Sequence, residues 1–406
     1  MSNLPDNFDA MVIEELEEKG PPQPTEQRDE LGVAERTQTL ITRLSSISSQ
    51  ADLDSAMSSF IQMLEPSVMP IAVGDASRPH FEPRAGTNRI SNSMYTRNRK
   101  NCIETLMARD PAHCTLTAET IFDHFQRKSP TNEALTLLNI PYAVRGFDDA
   151  PTLTNPITRD EVVARISHVN KTSAPGPSGI SFADISNGPS IDFMVGLFNL
   201  ILRRNLIPSM WKKAKLTMIF KSGDKSLPSS WRPIAGQETT EKIFAGIMAD
   251  RLQSFVSRHN ILPEWQRASS GTDGCSDCNL VLDMARDAAK SSHTQVHLMW
   301  IDIHNAFGSV DRELLLSILA RFNLPATFIR LVESMYSDNV LRYDDGSSVR
   351  AIPEIVGVKQ GDPLSPLLFS FYLAPAMLAV QHLNIGLNLP IRAFWASRHT
   401  LMTRFS

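Results

Sequence analysis

Residues 357–366 read Gly-Val-Lys-Gln-Gly-Asp-Pro-Leu-Ser-Pro, and an apolar run from Leu367 to Leu373 follows them. The ordinary interpretation of such a string is a glycine–proline turn in front of a helix. The string therefore predicts a tight turn leading into a buried helix.

A second string lies about 50 residues upstream, where residues 300–310 read Trp-Ile-Asp-Ile-His-Asn-Ala-Phe-Gly-Ser-Val. The mostly apolar run Val296 to Ile303 predicts a strand that ends at Asp302, and a helical stretch follows from Asp311 to Arg321. A strand end holds a metal-binding carboxylate rigidly. The alternative is that Asp302 is only a strand-end carboxylate and Phe307 a core aromatic.

The segments further upstream alternate between helix and strand patterns. Met194 to Leu202 carries apolar residues at helical spacing, with Pro208 closing the segment. Residues 215–220 are predicted to form a strand, and residues 243–255 carry the apolar stripe of another helix. This mixed order predicts an α+β fold.

A basic stretch surrounds the predicted strand. Residues 221–224 read Lys-Ser-Gly-Asp, and residues 230–234 read Ser-Trp-Arg-Pro-Ile. Between positions 203 and 225 a single acid, Asp224, faces seven basic residues, namely Arg203, Arg204, Lys212, Lys213, Lys215, Lys221 and Lys225. Such a run is either a solvated surface or a local surface that binds phosphates.

A fourth string, residues 173–180, reads Ser-Ala-Pro-Gly-Pro-Ser-Gly-Ile. In this order the four strings resemble the motifs of reverse transcriptases from non-LTR, LINE-like and R2-like, retrotransposons. The resemblance extends from about Tyr95 to Leu389 and implies a right-hand polymerase fold with fingers and a partial palm. Ser178 replaces the aspartate usual in the family, and Gly308 stands where the family commonly has aspartate.

The resemblance implies a role for each matching residue. Asp302 and the backbone carbonyl of Ile303 would bind Mg²⁺, because phosphoryl transfer needs hard oxygen ligands. Phe307 would exclude the 2′-hydroxyl of a ribonucleotide. The nucleotide itself would be held by Gln360, Gly361, Lys221 and Arg232. The substrates implied are an RNA template, a DNA primer and dNTPs, and no protein partner can be inferred.

Composition sets limits on these interpretations. A net charge of -4 and a pI of about 6.2 argue against a protein that coats nucleic acid through its overall field. The N-terminus lacks a signal-peptide pattern, and the apolar run Leu364 to Val380 contains Pro366 and Pro375. We therefore expect an intracellular protein of the nucleus or cytoplasm that does not enter the membrane.

Four regions are predicted along the chain. Residues 1–93 are polar and largely disordered, with a candidate helix at 40–64. Residues 94–155 form a basic helical extension, and residues 156–392 form the folded reverse transcriptase region. Residues 393–406 are an aberrant tail.

Two further patterns suggest sites of other kinds. Cys275 and Cys278, followed by His293 and His297, match a zinc-finger spacing, but residues 279–292 contain no aromatic to pack a finger core. A helix is the favoured interpretation there.

The second pattern is Tyr-Asp-Asp-Gly at residues 343–346, which is similar to a polymerase carboxylate box. It lacks a residue between the tyrosine and the acids and ends in an Asp-Gly turn signal. A hairpin turn is the favoured interpretation.

After residues 357–366 the family places a Tyr-Ala-Asp-Asp hairpin, and none precedes Ser406. When residues 399–406 are back-translated and read from the third base of each codon, the frame permits Tyr-Ala-Asp-Asp-Thr-Val-Leu. We hypothesise a frameshift near Phe394, which sequencing of the locus would test. Two functions stay open, namely an RNA-directed DNA polymerase fragment, expected to be inactive without the second carboxylate pair, and a non-catalytic nucleic-acid-binding remnant.

Overall fold

The computed structural model of the chain describes residues 30–64, 114–126, 150–171, 173–263, 266–267 and 274–383. The helices are α1 (Glu30–Leu44), α2 (Gln50–Leu64), α3 (Ala118–Gln126), α4 (Arg159–His168), α5 (Gly188–Arg204), α6 (Thr239–His259), α7 (Gly274–Ser291), α8 (Arg312–Arg321), α9 (Ala326–Tyr336) and α10 (Ser365–His382). The strands are β1 (Lys213–Phe220), β2 (Trp231–Gly236), β3 (Val340–Asp344) and β4 (Val349–Pro353). The α+β class predicted from the sequence is confirmed.

The four strands form one sheet in the order β2-β1-β3-β4. β1 pairs antiparallel with β2 and parallel with β3, while β3 and β4 form a hairpin. Residues of β1 alternate between exposed and buried, because successive side chains of a strand point to opposite faces. One face, which carries Leu216 and Met218, packs under Ile121 of α3. The other face is open to solvent.

The hairpin turn predicted at residues 343–346 is present between β3 and β4. Gly346 adopts φ +87, and its amide donates to the Asp344 carboxylate at 2.8 Å. The Asp345 carboxylate accepts from the Ala118 amide at 2.7 Å, which joins the turn to α3. The carboxylates of Asp344 and Asp345 therefore stabilise the hairpin turn and its contact with α3.

The main core surrounds α5 and α6. Asn187 caps α5 by accepting from the Ser190 amide, and Asn205 ends the helix in the left-handed conformation. Phe198 of α5 lies 5.3 Å from Phe244 of α6 and 6.3 Å from Trp211 between ring centroids. Both helices predicted from the apolar spacing are thus present and buried.

The N-terminal region differs from its prediction. Instead of one helix at 40–64, two helices, α1 and α2, are separated by the serine-rich residues 45–49. Ser49 accepts from the Asp52 amide at 3.2 Å and so starts a new helix. Phe60 of α2 stacks on Phe193 of α5 with ring centroids 4.0 Å apart. The candidate helix at 40–64 is therefore two helices, and both contribute buried residues to the main core.

The strand predicted over Val296 to Ile303 is wrong. The structure gives this segment no regular secondary structure, and Trp300 and Ile301 are 74% and 78% exposed. A strand needs neighbours that take up its backbone hydrogen bonds, and none of the described strands lies beside this segment. The segment therefore has the apolar pattern of a strand but not the hydrogen-bonded neighbour that a strand requires.

The helix that follows the 357–366 string, α10, is the most apolar of the described helices. It buries Leu367, Leu368 and Phe371, and Pro375 lies inside it. Across the described ranges, no helix has the length and apolarity to cross a bilayer. The predictions for residues 393–406 and for most of 94–149 lie outside the described residues.

Candidate active site

The 300–310 string and the 357–366 string lie side by side. The Val358 amide donates to the Phe307 carbonyl at 2.8 Å, and the Gly357 amide donates to the Val310 carbonyl at 2.8 Å. Gly357 adopts φ +85, and a Cβ there would lie 2.8 Å from the Phe307 carbonyl oxygen. Glycine is therefore required where the two loops meet.

The same loop contacts the outer edge of the sheet. The Ala235 amide of β2 donates to the Gln360 carbonyl at 3.0 Å. Gly361 adopts φ +113, and a Cβ there would lie 3.3 Å from the Ala235 carbonyl oxygen. The loop thus joins β2 to the segment around Phe307, which fixes the position of Gln360.

A buried ion pair lies beneath this loop. The Lys359 ammonium is 2.6 Å from Glu241 of α6, and the two side chains are only 3% and 2% exposed. Gln237 donates to the same carboxylate oxygen at 3.0 Å. Burial alone would lower the pKa of Lys359, but the charges of Glu241, Glu354 and Asp362 together hold it above the ordinary value. The pair anchors the loop to α6.

Asp362 follows Lys359 by three residues in the same loop and is also buried. Its carboxylate accepts from the Leu364 amide at 2.9 Å and from the Tyr336 hydroxyl at 3.4 Å. The Tyr336 hydroxyl also lies 2.9 Å from the Ser365 hydroxyl. Burial raises the pKa of Asp362 to about 6, although Lys359 opposes this shift. The start of α10 is therefore attached to α9 through Asp362.

Arg312, a residue that the sequence did not single out, holds the segment between β4 and the loop. Its guanidinium donates to the carbonyls of Gly357 at 2.9 Å, Tyr336 at 2.7 Å, Glu354 at 2.5 Å and Val356 at 3.3 Å. A planar guanidinium carries five donors and can serve several acceptors at once. One side chain thus fixes residues 354–357 through their backbone.

A cavity of about 70 Å³ lies where these segments converge. Among the residues that line it are Asn305, Gly308, Pro233, Ala235 and Gln360. The position usual for aspartate in the family, Gly308, is closed by the Asn305 side chain, which would lie 2.4 Å from an added Cβ. The cavity therefore brings the 300–310 string, the 357–366 string and the hairpin of β1 and β2 to one place.

The exposed face of the sheet is basic. By strand register Arg232 opposes Ile219, and Lys215 opposes Arg342. Lys221 directly follows β1 and is exposed, and its amide donates to the Ser230 carbonyl at 2.8 Å. We call this surface the basic face, and its residues, all exposed, are Lys213, Lys215, Lys221, Arg232 and Arg342.

Other members of the basic run lie elsewhere. Arg203 and Arg204 are exposed at the end of α5. Lys212 is partly buried and donates to the carbonyls of Ser334 and Ser337. Burial lowers the pKa of Lys212 to about 8. The basic run in the sequence is therefore split between a sheet face, a helix end and an internal contact.

The predicted metal ligands lie outside this packed arrangement. Asp302 is exposed, and Ile303 is 41% exposed on the irregular segment. Reverse transcriptases generally use divalent metal ions. Over the residues with described positions, however, no group of three or more His, Cys, Asp or Glu side chains could hold one. One carboxylate on its own does not fit such a site.

Phe307 is half-buried, and its ring centroid lies 5.2 Å from that of Phe369 in α10. Its main chain is fixed by the bond from Val358. Packing against the main core agrees with the alternative of a core aromatic.

The zinc-finger spacing falls on α7. Cys275 and Cys278 are exposed in the first turns of this helix, which matches the helix favoured for residues 279–292. His293 adopts φ 53 just after the helix, and His297 lies in the irregular segment.

The turn at residues 173–180 packs against the start of α6. Ser178 donates to Glu238 twice, from its amide at 3.0 Å and from its hydroxyl at 2.5 Å. A Cβ at Gly176 would lie 2.5 Å from the Gln237 carbonyl oxygen. Burial raises the pKa of Glu238, although the bonds from Ser178 oppose the rise. Ser178 therefore positions the helix that carries Glu241.

Comparisons with known proteins bear on the family that the sequence resembles. Residues 217–389 match the family model described as reverse transcriptase (RNA-dependent DNA polymerase). This part of the chain is therefore a reverse transcriptase domain.

Its relatives specify the kind of element. The chain is 29% identical over 228 residues to the Retrovirus-related Pol polyprotein from type-1 retrotransposable element R2 of Popillia japonica, covering 56% of this chain and 31% of the relative. It is 31% identical over 211 residues to the type-2 R2DM polyprotein of Drosophila melanogaster, covering 52% and 19%. A probable RNA-directed DNA polymerase from transposon BS of the same fly is 28% identical over 265 residues, covering 63% and 28%.

These matches confirm the resemblance to non-LTR retrotransposon reverse transcriptases, and an R2-like origin fits them. Proteins of this family act on a nucleic acid template and primer. The chain spans less than a third of the length of these three relatives.

Proposed function

We propose that this chain is the template- and nucleotide-binding part of an RNA-directed DNA polymerase that copies retroelement RNA from a DNA primer with dNTPs. The observation that carries the proposal is the convergence of residues 305–308, residues 357–361 and β2 around one cavity. In this assignment the sheet with α3 corresponds to the fingers. Helices α8 to α10 belong to the palm.

The basic face is the proposed contact for phosphates. Lys221 would act on the triphosphate as a point charge, and Arg232 as a planar fork. Lys213, Lys215 and Arg342 extend the same face away from the hairpin and would contact the template backbone. The support is that strand alternation and register place Lys213, Lys215, Arg232 and Arg342 on one exposed side of the sheet. Lys221 is exposed directly after β1.

Gln360 and Gly361 are the proposed contacts for the nucleotide sugar, with Phe307 as the residue that excludes a 2′-hydroxyl. The support is geometric. The Gln360 carbonyl is fixed by Ala235, and the Phe307 carbonyl is fixed by Val358. Both residues are therefore held by backbone bonds, which leaves their positions independent of side-chain motion.

Asp302 is proposed as a ligand of Mg²⁺, with the Ile303 carbonyl beside it. The described residues do not include the other ligands of such a site. A second candidate function is nucleic acid binding without catalysis, and the exposed cations of the basic face support it, because they suit a phosphate backbone. The basic face would serve either function.

Replacing Lys221 and Arg232 together with alanine should weaken binding of an RNA–DNA template–primer about tenfold in the presence of dNTP, because two phosphate contacts are lost. The slope of the logarithm of the binding constant against the logarithm of the salt concentration should become less steep by about one unit for each cation removed. Fluorescence anisotropy at several salt concentrations measures both. The control, Arg203→Ala, removes an exposed cation from α5 and should change neither. Equal losses in both variants would remove the basic face from the proposal.

Primer extension separates the two functions. The purified chain and its Asp302→Asn variant, which removes the charge but keeps the shape, are compared with Mg²⁺, dNTPs and a primed RNA template. DNA synthesis that depends on Asp302 would establish the polymerase. Template–primer binding that is unchanged by Asp302→Asn, without synthesis in either protein, would favour the binding function.

A further inference from the structure

A cleft of about 610 Å³ lies between α8, α9 and the base of the β3–β4 hairpin. Leu315, Leu316 and Val332 line it with apolar surface, and Ile355 at its margin is 61% exposed. Ligand sites in proteins commonly enclose roughly 300 to 1,000 Å³ of this mostly apolar kind. The cleft therefore has the size and lining of a binding site.

The cleft is also acidic. Four carboxylates line it, and three of them are exposed, namely Glu313, Glu333 and Asp338. The cation at the cleft, Arg312, already donates to four backbone carbonyls. The neighbouring Lys212 donates to the carbonyls of Ser334 and Ser337. The carboxylates thus give the cleft a net negative charge, which favours a cationic ligand.

Two buried acceptors in the cleft lack a hydrogen bond. Asn339 is only 4% exposed, and while its amide nitrogen donates to the Met335 carbonyl at 3.0 Å, its Oδ1 accepts nothing. Oε2 of Glu354 accepts no hydrogen bond either, although it forms an ion pair with the Arg312 guanidinium at 3.5 Å. A buried acceptor without a hydrogen bond is unfavourable. Both residues line the same cleft, so a ligand that brings donors would lie close to both.

We propose that this cleft binds an arginine-bearing peptide segment of a partner protein. An apolar neighbour of the arginine would cover Leu316 and Ile355, while the guanidinium would donate toward Asn339 and Glu354. A planar guanidinium offers five donors, which suits two acceptors on separate residues better than one ammonium does. Nothing in this assignment depends on polymerase activity, since the cleft shares no residue with the basic face.

The pKa of Glu354 agrees with a cationic ligand. Burial raises it above the ordinary value, and Arg312 and Lys359 lower it only in part. A guanidinium in the cleft would favour the ionised form of this carboxylate.

The test uses fluorescence anisotropy of the full chain with a fluorescein-labelled heptapeptide of alternating leucine and arginine. The triple variant Glu313→Gln, Glu333→Gln, Asp338→Asn changes exposed side chains only, so it should fold normally and bind the peptide about tenfold more weakly. The same peptide with citrulline in place of arginine keeps the shape without the charge. The citrulline peptide should bind the unmodified chain at least as weakly as the arginine peptide binds the triple variant.

Asp160→Asn provides the matched control, because Asp160 is an exposed acid on α4 outside the cleft. It should leave peptide binding unchanged. Equal binding by the triple variant, or by the citrulline peptide, would overturn the proposal. A further variant changes Arg97, Arg99 and Lys100 to alanine. If it binds the peptide more tightly, the chain's own basic segment competes for the cleft, and the proposal of a partner protein is overturned. Failure of template–primer binding would leave these outcomes unaffected.

Discussion

Replacing Lys359 with methionine is expected to lower the free energy of unfolding by about 3 to 5 kcal/mol, because it leaves the buried carboxylate of Glu241 without its charged partner. The two side chains are 2.6 Å apart and almost fully buried. Methionine keeps the length and much of the volume of lysine, so the lost charge dominates the effect. Urea denaturation followed by tryptophan fluorescence measures the change, since Trp211 is buried beside Phe244 in the same core.

Two variants establish that the effect comes from an unpaired buried charge. Changing Glu241 to methionine as well should recover much of the loss, because both charges then leave the interior. Arg159→Met breaks an ion pair of 2.9 Å with Asp192 in which the side chains are 53% and 50% exposed, and it should cost less than about 1 kcal/mol. A cost for Lys359→Met no larger than this would contradict the anchoring role of the pair.

Gly357→Ala is expected to destabilise the chain by about 3 kcal/mol, from the left-handed backbone together with overpacking. The added Cβ would meet the Phe307 carbonyl oxygen at 2.8 Å and the Gly308 Cα at 2.9 Å. Relief of this contact would separate the two loops and disturb the position of Gln360. We therefore expect weaker dNTP-dependent template–primer binding along with the lower unfolding midpoint.

Gly346→Ala is the matched control for this variant. Gly346 has φ +87, close to the +85 of Gly357, but a Cβ there meets nothing within 4 Å. The control therefore isolates the cost of the backbone conformation, about 1 to 2 kcal/mol. If both alanine variants cost the same, the close approach of the two loops is not what requires glycine at Gly357.

Some of the site could be predicted because its signals are local. Glycine permits backbone conformations that other residues avoid and proline fixes φ, so the string at residues 357–366 indicated both the turn and helix α10. The hairpin at residues 343–346 followed from its Asp-Gly turn in the same way. The helical stripes of α5 and α6 were equally local, because side chains three and four residues apart share one face.

The anchors of the site were missed because their partners are remote in sequence. Lys359 and Glu241 are 118 residues apart, and charged side chains are rarely buried. Arg312 bonds to carbonyls, which carry no sequence signal. No local pattern distinguishes such residues from solvated ones.

The strand over residues 296–303 was predicted wrongly for a related reason, because the pairing of strands depends on tertiary structure. Its apolar pattern describes side chains, whereas a strand forms only where another backbone accepts and donates its hydrogen bonds. In the N-terminal region the candidate helix at 40–64 included Leu53, Met57 and Phe60, which keep a helical spacing and are buried in the main core. The break at residues 45–49, which divides it into two helices, was not predicted.

That N-terminal pair of helices bears on where an autonomous folding unit begins. The family match starts at residue 217, inside β1, yet Gln50 of α2 donates to the Ile207 carbonyl at 2.8 Å and Asp54 accepts from the Ser209 amide at 2.8 Å. A fragment cut at the family boundary would remove Phe60, Phe193 and Phe198 and leave the buried side of α6 open to water. Sequence homology thus marks where the chemistry is shared, while expression boundaries that preserve the fold have to reach back to α1.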